Sequence, residues 1–363
     1  MLRKSLALFL LSFISCKQEI SQFSFEPISV QYPLLVSEIG ESLEILEIQT
    51  KYPISGTPTI LKSDRYFYLF EQGIVTSLHQ VSLDGKVLKS IDFGYDDKLN
   101  ADAITQVILK ENKIGVVSRG NLVIWFDENL EELEEEKLPF MANFHYPINE
   151  NRMISFNNRI DDQENFDILI QESGETKKTL PIRKDEYTFV YESYSPFSEW
   201  NSHVIFSQAF NDTIYVWDKE GFRPLFHVNF GTNAVADRLK QVQHPLDMLA
   251  FFNEKKYHYL PGEVYGLDAN RVLFQINEKG NRKLGLMNFE TKELSVYPGI
   301  VDNSISNMIL YFPQFAKDRE LFFGISGEQI LEKYDRIPDS FKHRLSQDYA
   351  ESFFIYRLKL KPS

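Results

Sequence analysis

Residues 212–231 read DTIYVWDKEGFRPLFHVNFG, and this stretch decides the fold. Ile214 and Val216 alternate with Tyr215 and Trp217, the period of two that sends successive side chains to opposite faces of a strand. Lys219-Glu220-Gly221 supplies the polar, glycine-ended turn that a tight hairpin requires. A second β-rich run, FRPLFHVNFG, then returns from the turn. Alone this is a hairpin, but the same unit recurs six times. The segment before the turn is VTSLHQVSL from Val75, LVIWFDENL from Leu122, FDILIQESG from Phe166, DTIYVWDKEG from Asp212, RKLGLMNFETK from Arg282 and SFFIYRLKL from Ser352. Successive starts lie 47, 44, 46, 70 and 70 residues apart.

Upstream of each lies another strand: YFYLF at Tyr66, KIGVVS at Lys113, RMISF at Arg152, HVIFS at His203, RVLFQI at Arg271 and ELFFGI at Glu320. Downstream of the first five turns comes a further strand, and two of these, that of the opening stretch included, end in Phe-Gly (Phe93-Gly94, Phe230-Gly231). Multi-stranded units of about 40 to 50 residues are the signature of a β-propeller. The sixth unit stops at Leu360, three residues before the end, and so lacks its fourth strand. An unassigned alternating segment, SLEILEIQT from Ser42, stands ahead of the first unit. Residues 43–49 are therefore expected to complete the last blade and remove a free sheet edge. The expected fold is all-β: a six-bladed propeller closed by an N-terminal strand. An open array of six repeats or a pair of sandwiches would be the alternatives.

Two units carry surplus length. In the fifth it precedes the second strand, TNAVADRLKQVQHPLDMLAFFNEKKYHYLPGE, with Val235, Leu239 and Val242 at helical spacing. In the sixth it separates strands two and three, GEQILEKYDRIPDSFKHRLSQDYAE, with a helical pattern around Phe341 and Leu345. In a blade these two connections emerge on the same face, so both short helical insertions are expected on one face, as a lid or a packed cap.

The N-terminus reads MLRKSLALFLLSFISC. Arg3 and Lys4 precede an apolar run far shorter than the roughly 20 residues a membrane span needs. It fits a cleaved signal peptide, residues 1–15. Ser15-Cys16 resembles the lipobox of bacterial lipoproteins, although Phe13 stands where that family prefers Leu. The resemblance implies a diacylglycerol on Cys16, followed by N-acylation with a fatty acid such as palmitate. Cys16 is the single cysteine of 363 residues, so no internal disulfide holds the fold. Lys17, Gln18 and Glu19 partly match a surface-export tag. Residues 16–33 read as a lipidated tether, and residues 34–363 as the propeller domain.

With residues 212–231, the lipobox and a length near 360, the chain resembles the six-bladed propeller lipoproteins of unknown function in Gram-negative bacteria. That resemblance implies a fold and a compartment: lipid-anchored to the outer membrane, on its periplasmic or cell-surface side.

Loss of residues 1–15 removes two of 39 basic side chains against 52 acidic ones, leaving about −15. Such a chain lacks the basic stripe that nucleic acid or anionic lipid would need. Thirty Phe and 18 Tyr favour β-structure around a large core. No G-x-S-x-G, H-E-x-x-H or phosphate loop is present, and no cofactor is expected. The seven histidines lack metal-ligand spacing.

The candidate ligand-binding residues are Arg183, Tyr187, Tyr191 and Trp200, entering the fourth unit, with His244, Tyr257 and His258 in the fifth unit's insertion. Aromatic faces beside an Arg or His suit sugar rings or peptides, and the same aromatics would equally serve as core. Asp161, Asp162, Glu164 and Asp167 concentrate hard oxygen donors, without the glycine or spacing of a calcium loop. A solvated acidic loop is the simpler reading. ENLEELEEEK from Glu128 reads as an outer strand guarded by charge. The expected function is a binding module for a glycan, peptide or partner protein. The alternatives are a carbohydrate-active hydrolase or lyase with carboxylates at the channel mouth, or a structural subunit of an envelope complex.

Overall fold

A computed structural model of the chain describes residues 24–50, 53–54, 57–72, 75–95, 101–156, 166–172, 174–181, 195–218, 221–235 and 254–362. They form a β-propeller whose residues divide into two compact units.

The larger unit, residues 33–192 and 299–363, holds four blades. Blade one is Thr59–Lys62, Tyr66–Glu71, Ser77–Ser82 and Val87–Asp92; blade two is Ile104–Lys110, Lys113–Ser118, Leu122–Phe126 and Glu132–Lys137. Blade three is Phe144–Asn149, Arg152–Phe156, Phe166–Glu172 and Glu175–Pro181. Blade six is Phe315–Lys317, Glu320–Ser326 and Phe353–Leu360, completed by an N-terminal strand. The smaller unit, residues 1–32 and 193–298, holds two. Blade four is Phe197–Trp200, His203–Ser207, Thr213–Trp217 and Phe222–Val228. Blade five is Arg271–Glu278, Asn281–Asn288 and Glu293–Tyr297, with His258–Tyr259 and Val264–Gly266 both paired to Arg271–Glu278. A seventh sheet, in the larger unit, has only three two-residue strands: Leu34–Leu35 (β3), Ile300–Val301 and Ile309–Leu310.

Every repeat expected from the sequence is a blade, and each expected second and third strand is present. The middle strands are apolar on both faces because both faces are covered: in Lys113–Ser118, all but the first residue are buried. The acidic run becomes blade two's outermost strand, Glu132–Lys137, and is almost wholly exposed. The closing strand is Gly40–Ile48, which we call β4. It lies antiparallel to Phe353–Leu360, with Ile48 opposite Phe353 and Leu43 opposite Leu358.

Charges bind this seam. Arg357 pairs with Glu320 at 2.6 Å and with Glu44 of β4 at 3.3 Å, and Lys62 lies 3.6 Å from Glu320. Glu47 of β4 reaches the sixth-blade insertion, accepting from Ser346 N–H at 3.1 Å and Ser352 Oγ at 2.8 Å. Closure and insertion therefore share one carboxylate. That insertion holds the helices Gly327–Glu332 and Asp339–Lys342; Ser326 and Gln329 cap the first reciprocally. Phe341 is buried, as its spacing implied. In the fifth-blade insertion Val235 is buried, while Leu239 and Val242 lie outside the described residues.

Side-chain amides fasten blade to blade in the larger unit. Gln106 donates to the His145 carbonyl at 2.9 Å and accepts from its N–H at 2.8 Å. Gln72 donates to the Ile104 carbonyl at 2.5 Å. His145 Nε2 donates to Gly120 O at 2.9 Å while Nδ1 accepts from Ser155 Oγ at 2.8 Å, since a carbonyl can only accept. Gly120 is at φ +74°, and a Cβ there would come within 2.7 Å of the Ala142 carbonyl, so this acceptor needs a glycine.

Burial holds the pKa of His145 below 6.5, against the weaker pull of the Gly120 carbonyl; burial does the same to His79. The folded chain thus stays neutral at both sites where the unfolded chain takes up protons. Stability contributed by neutral histidine is complete above about pH 6.5 and declines below it. Each site steepens the decline by up to about 1.4 kcal/mol per pH unit until its folded pKa is reached. Urea midpoints are expected to fall between pH 6.5 and 5.5, and a His79→Gln/His145→Gln variant to flatten that slope. An unchanged slope would refute the assignment.

Candidate functional site

Among the sequence candidates, Tyr257 and His258 lie in the described part of the smaller unit, at the entrance to blade five. His258–Tyr259 pairs antiparallel with Glu278 and Asn277. His258 also bridges Ala234 in parallel, and its carbonyl accepts from Val235 N–H at 3.1 Å. The Tyr257 carbonyl accepts from Lys279 N–H at 2.9 Å. Insertion and hairpin therefore fix one another through the backbone, and the side chains of residues 257–259 are half-buried.

Two phenylalanines complete the cluster. Phe230 meets the His258 ring edge-on at 5.8 Å, with the planes at 88°. Phe210 lies in the connection between strands two and three of blade four. Its N–H donates to Leu260 O at 2.8 Å, and its ring lies 4.9 Å from that of Tyr259. Phe210 is buried at φ +63°, a left-handed conformation that costs a bulky residue about 1–3 kcal/mol. The hydrogen bond and ring contact hold it there.

His258 Nε2 is buried without a hydrogen-bond partner. Burial lowers the pKa of the ring, Glu278 raises it, and Lys279 and Lys283 lower it further. The neutral ring keeps one nitrogen with unused hydrogen-bonding capacity, bordered by aromatic faces. Such an arrangement can give one directional hydrogen bond to a neutral polar group and apolar contact around it. Farther along the same sheet, Tyr265 lies opposite Leu273, fully buried and hydrogen-bonded to Ser195; burial lifts its pKa far above the usual range, so it stays a neutral phenol.

Trp200 lies elsewhere in the same unit. It pairs with His203 at the hairpin between strands one and two, donates from Nε1 to Asp268 O at 2.7 Å, and packs on Phe289 at 5.2 Å. Asp268 precedes strand two of blade five whereas Glu278 ends it, so Trp200 and His258 sit at opposite ends, roughly 20 Å apart at strand rise. His227, also in blade four, lies 3.3 Å from Thr213 Oγ1, and His203 is exposed.

Arg183, Tyr187, Tyr191 and His244 lie outside the described residues, as do Asp161, Asp162, Glu164 and Cys16; of Asp167 only the backbone, in Phe166–Glu172, is described. Among the described residues no three His, Cys, Asp or Glu side chains converge to hold a metal, and no helix is long and apolar enough to cross a membrane. Sequence reasoning missed Phe210 and Phe230 as site residues. The Phe-Gly ending flagged Phe230 as a recurrent position; nothing local marks Phe210.

Residues 103–298 match the profile of a family of domains of unknown function described as 6-bladed beta-propeller. Among solved structures, a Bacteroides fragilis NCTC 9343 protein described as a candidate exported protein is similar at TM-score 0.70 and 12% identity. That match covers 94% of this chain and 99% of the other. The WD40 repeats of RRP9 match at TM-score 0.45 and 12% identity, over 91% and 99% of the two chains. BamB from Moraxella catarrhalis matches at 0.40 and 11%, over 70% and 66%. At such identities the likeness is one of fold. No curated protein matches the chain.

Proposed function

The chain belongs to the 6-bladed beta-propeller family, and from that premise we propose a binding module that works outside the cytoplasm, anchored to the outer membrane by lipid on Cys16. Its ligand is a glycan, peptide or partner protein, bound over Tyr257, His258 and Tyr259. The observation that carries this reading is the buried, unpartnered Nε2 of His258 among aromatic rings. A structural histidine in this protein looks different: His145 spends both ring nitrogens on its own fold. Insertions on one end of a propeller are also where binding usually resides, and the similar Bacteroides fragilis protein is described as a candidate exported protein.

The test is a thermal-shift screen of the Cys16→Ser chain against oligosaccharide and peptide libraries, repeated with His258→Phe. A ligand that stabilises the parent and loses at least about tenfold in affinity with His258→Phe is expected; one nitrogen's hydrogen bond, about 1.4 kcal/mol, accounts for that factor. A hit that binds both chains equally would move the site elsewhere.

The anchor has its own test. Cys16→Ser is expected to shift the protein from the membrane pellet to the soluble fraction, because acyl chains supply the attachment. If the variant still sediments after a high-salt wash, the anchor is not the lipid.

A further inference from the structure

The outer strands of the propeller are protected in two different ways. Blade two's Glu132–Lys137 is guarded by charge, and blade three's Glu175–Pro181 carries Lys177, Lys178 and a terminal proline. Blades four and five are covered instead by the chain's own N-terminal segment. Ser24–Phe25 (β1) lies parallel to His227–Val228 of blade four, and Ile28–Ser29 (β2) lies parallel to Ser295–Val296 of blade five. The Phe25 carbonyl accepts from Asn229 N–H at 2.9 Å, and Val30 N–H donates to Val296 O at 2.8 Å. Phe25 sets its ring edge-on to Phe226 at 6.4 Å.

This strap is lightly held. Each strand has two residues, the pairing is parallel, and Pro27 between them has no N–H to continue a ladder. Ile28 is 54% exposed and Tyr32, where the strap ends, 64%. Beyond Tyr32 the chain enters the other compact unit at Pro33.

We propose that residues 24–30 are exchangeable, and that the edges of blades four and five accept this segment from a second copy of the chain, pairing copies by strap exchange. The occupant is identified by the structure: the segment seated on these edges belongs to the chain itself. Every contact it makes in cis is available in trans, so exchange costs only hinge conformation and association entropy.

The test uses full-length chains on the Cys16→Ser background, which has no other cysteine. Ser24 and His227 are register partners, at a separation a disulfide can bridge. Chains carrying Ser24→Cys, mass-tagged, are mixed with chains carrying His227→Cys and oxidised. The expected product is a mixed covalent dimer whose yield rises with concentration and falls when a peptide of residues 21–32 is added. Ser24→Cys with His203→Cys, an exposed position off the edge, is the control. A mixed yield no higher than this control overturns the proposal. The double variant Ser24→Cys/His227→Cys in one chain should close internally at low concentration; failure to close also overturns it, because the pairing itself would be absent.

Discussion

Asp302→Ala is expected to lower the unfolding free energy by about 3–5 kcal/mol, because several buried donors lose their acceptor at about 1–3 kcal/mol each. Asp302 is fully buried in the loop between Ile300–Val301 and Ile309–Leu310. Its Oδ1 accepts from Ser304 N–H at 2.8 Å, Ser304 Oγ at 2.7 Å and Ile305 N–H at 3.0 Å. Its Oδ2 accepts from Ser306 N–H and Ser306 Oγ, each at 2.6 Å. Burial pushes the carboxyl pKa up, and these hydrogen bonds, led by Ser306, more than reverse it, leaving it below 3.8. The carboxylate therefore adds stability above the unfolded pKa, and this is lost as pH falls through the lower folded value. Alanine leaves several buried N–H and O–H groups without an acceptor. Urea denaturation at pH 7 measures the loss; a change under about 1 kcal/mol would mean that the loop finds other acceptors. Asp302→Asn, which keeps the shape but turns an NH2 toward donors, should fall between.

The second large effect is expected at the seam. Ile48 ends β4 fully buried, in an apolar cluster with Ile54, Ile60, Phe67, Leu69, Phe322 and Phe353. Ile48→Asp removes this burial and leaves a carboxylate in the core, a loss of at least about 4 kcal/mol. Ser42→Asp, at an exposed position of the same strand, should change stability by no more than about 0.5 kcal/mol. Should Ile48→Asp fail to accumulate, Ile48→Ala gives a measurable 2–5 kcal/mol. Equal tolerance at positions 42 and 48 would show that β4 does not close the blade.

Most of this architecture was legible because a strand's own residues record its surroundings. YFYLF, and KIGVVS and HVIFS behind their exposed first residues, are buried on both faces and mostly apolar, as strands covered on both faces must be. The acidic run 132–137 records an exposed edge as plainly. The missing fourth strand after Leu360 pointed to an N-terminal partner, and β4 supplies it. First strands such as Phe197–Trp200 and Phe315–Lys317 were harder to read: they are short and carry little alternation. Residues 24–29 read as tether, yet they carry β1 and β2 on the edges of blades four and five. Their backbone finds partners some 200 residues or more away, which no local pattern announces.

The candidate site divides similarly. Tyr257 and His258 stood out as aromatic and titratable residues in an insertion. Phe210 did not, because its position depends on Leu260 and Tyr259 across the chain. Trp200 was a candidate ligand-binding residue beside them, and strand direction takes it to the opposite end of the sheets. The sequence by itself determined the repeat, the number of blades and the need for a closing strand, since periodicity and turn chemistry are local. Only the tertiary structure decided which side chains converge, where the N-terminal strap lies and which buried polar atoms go unpaired. Those depend on register and long-range contact, and a one-residue shift in register would change every one of them.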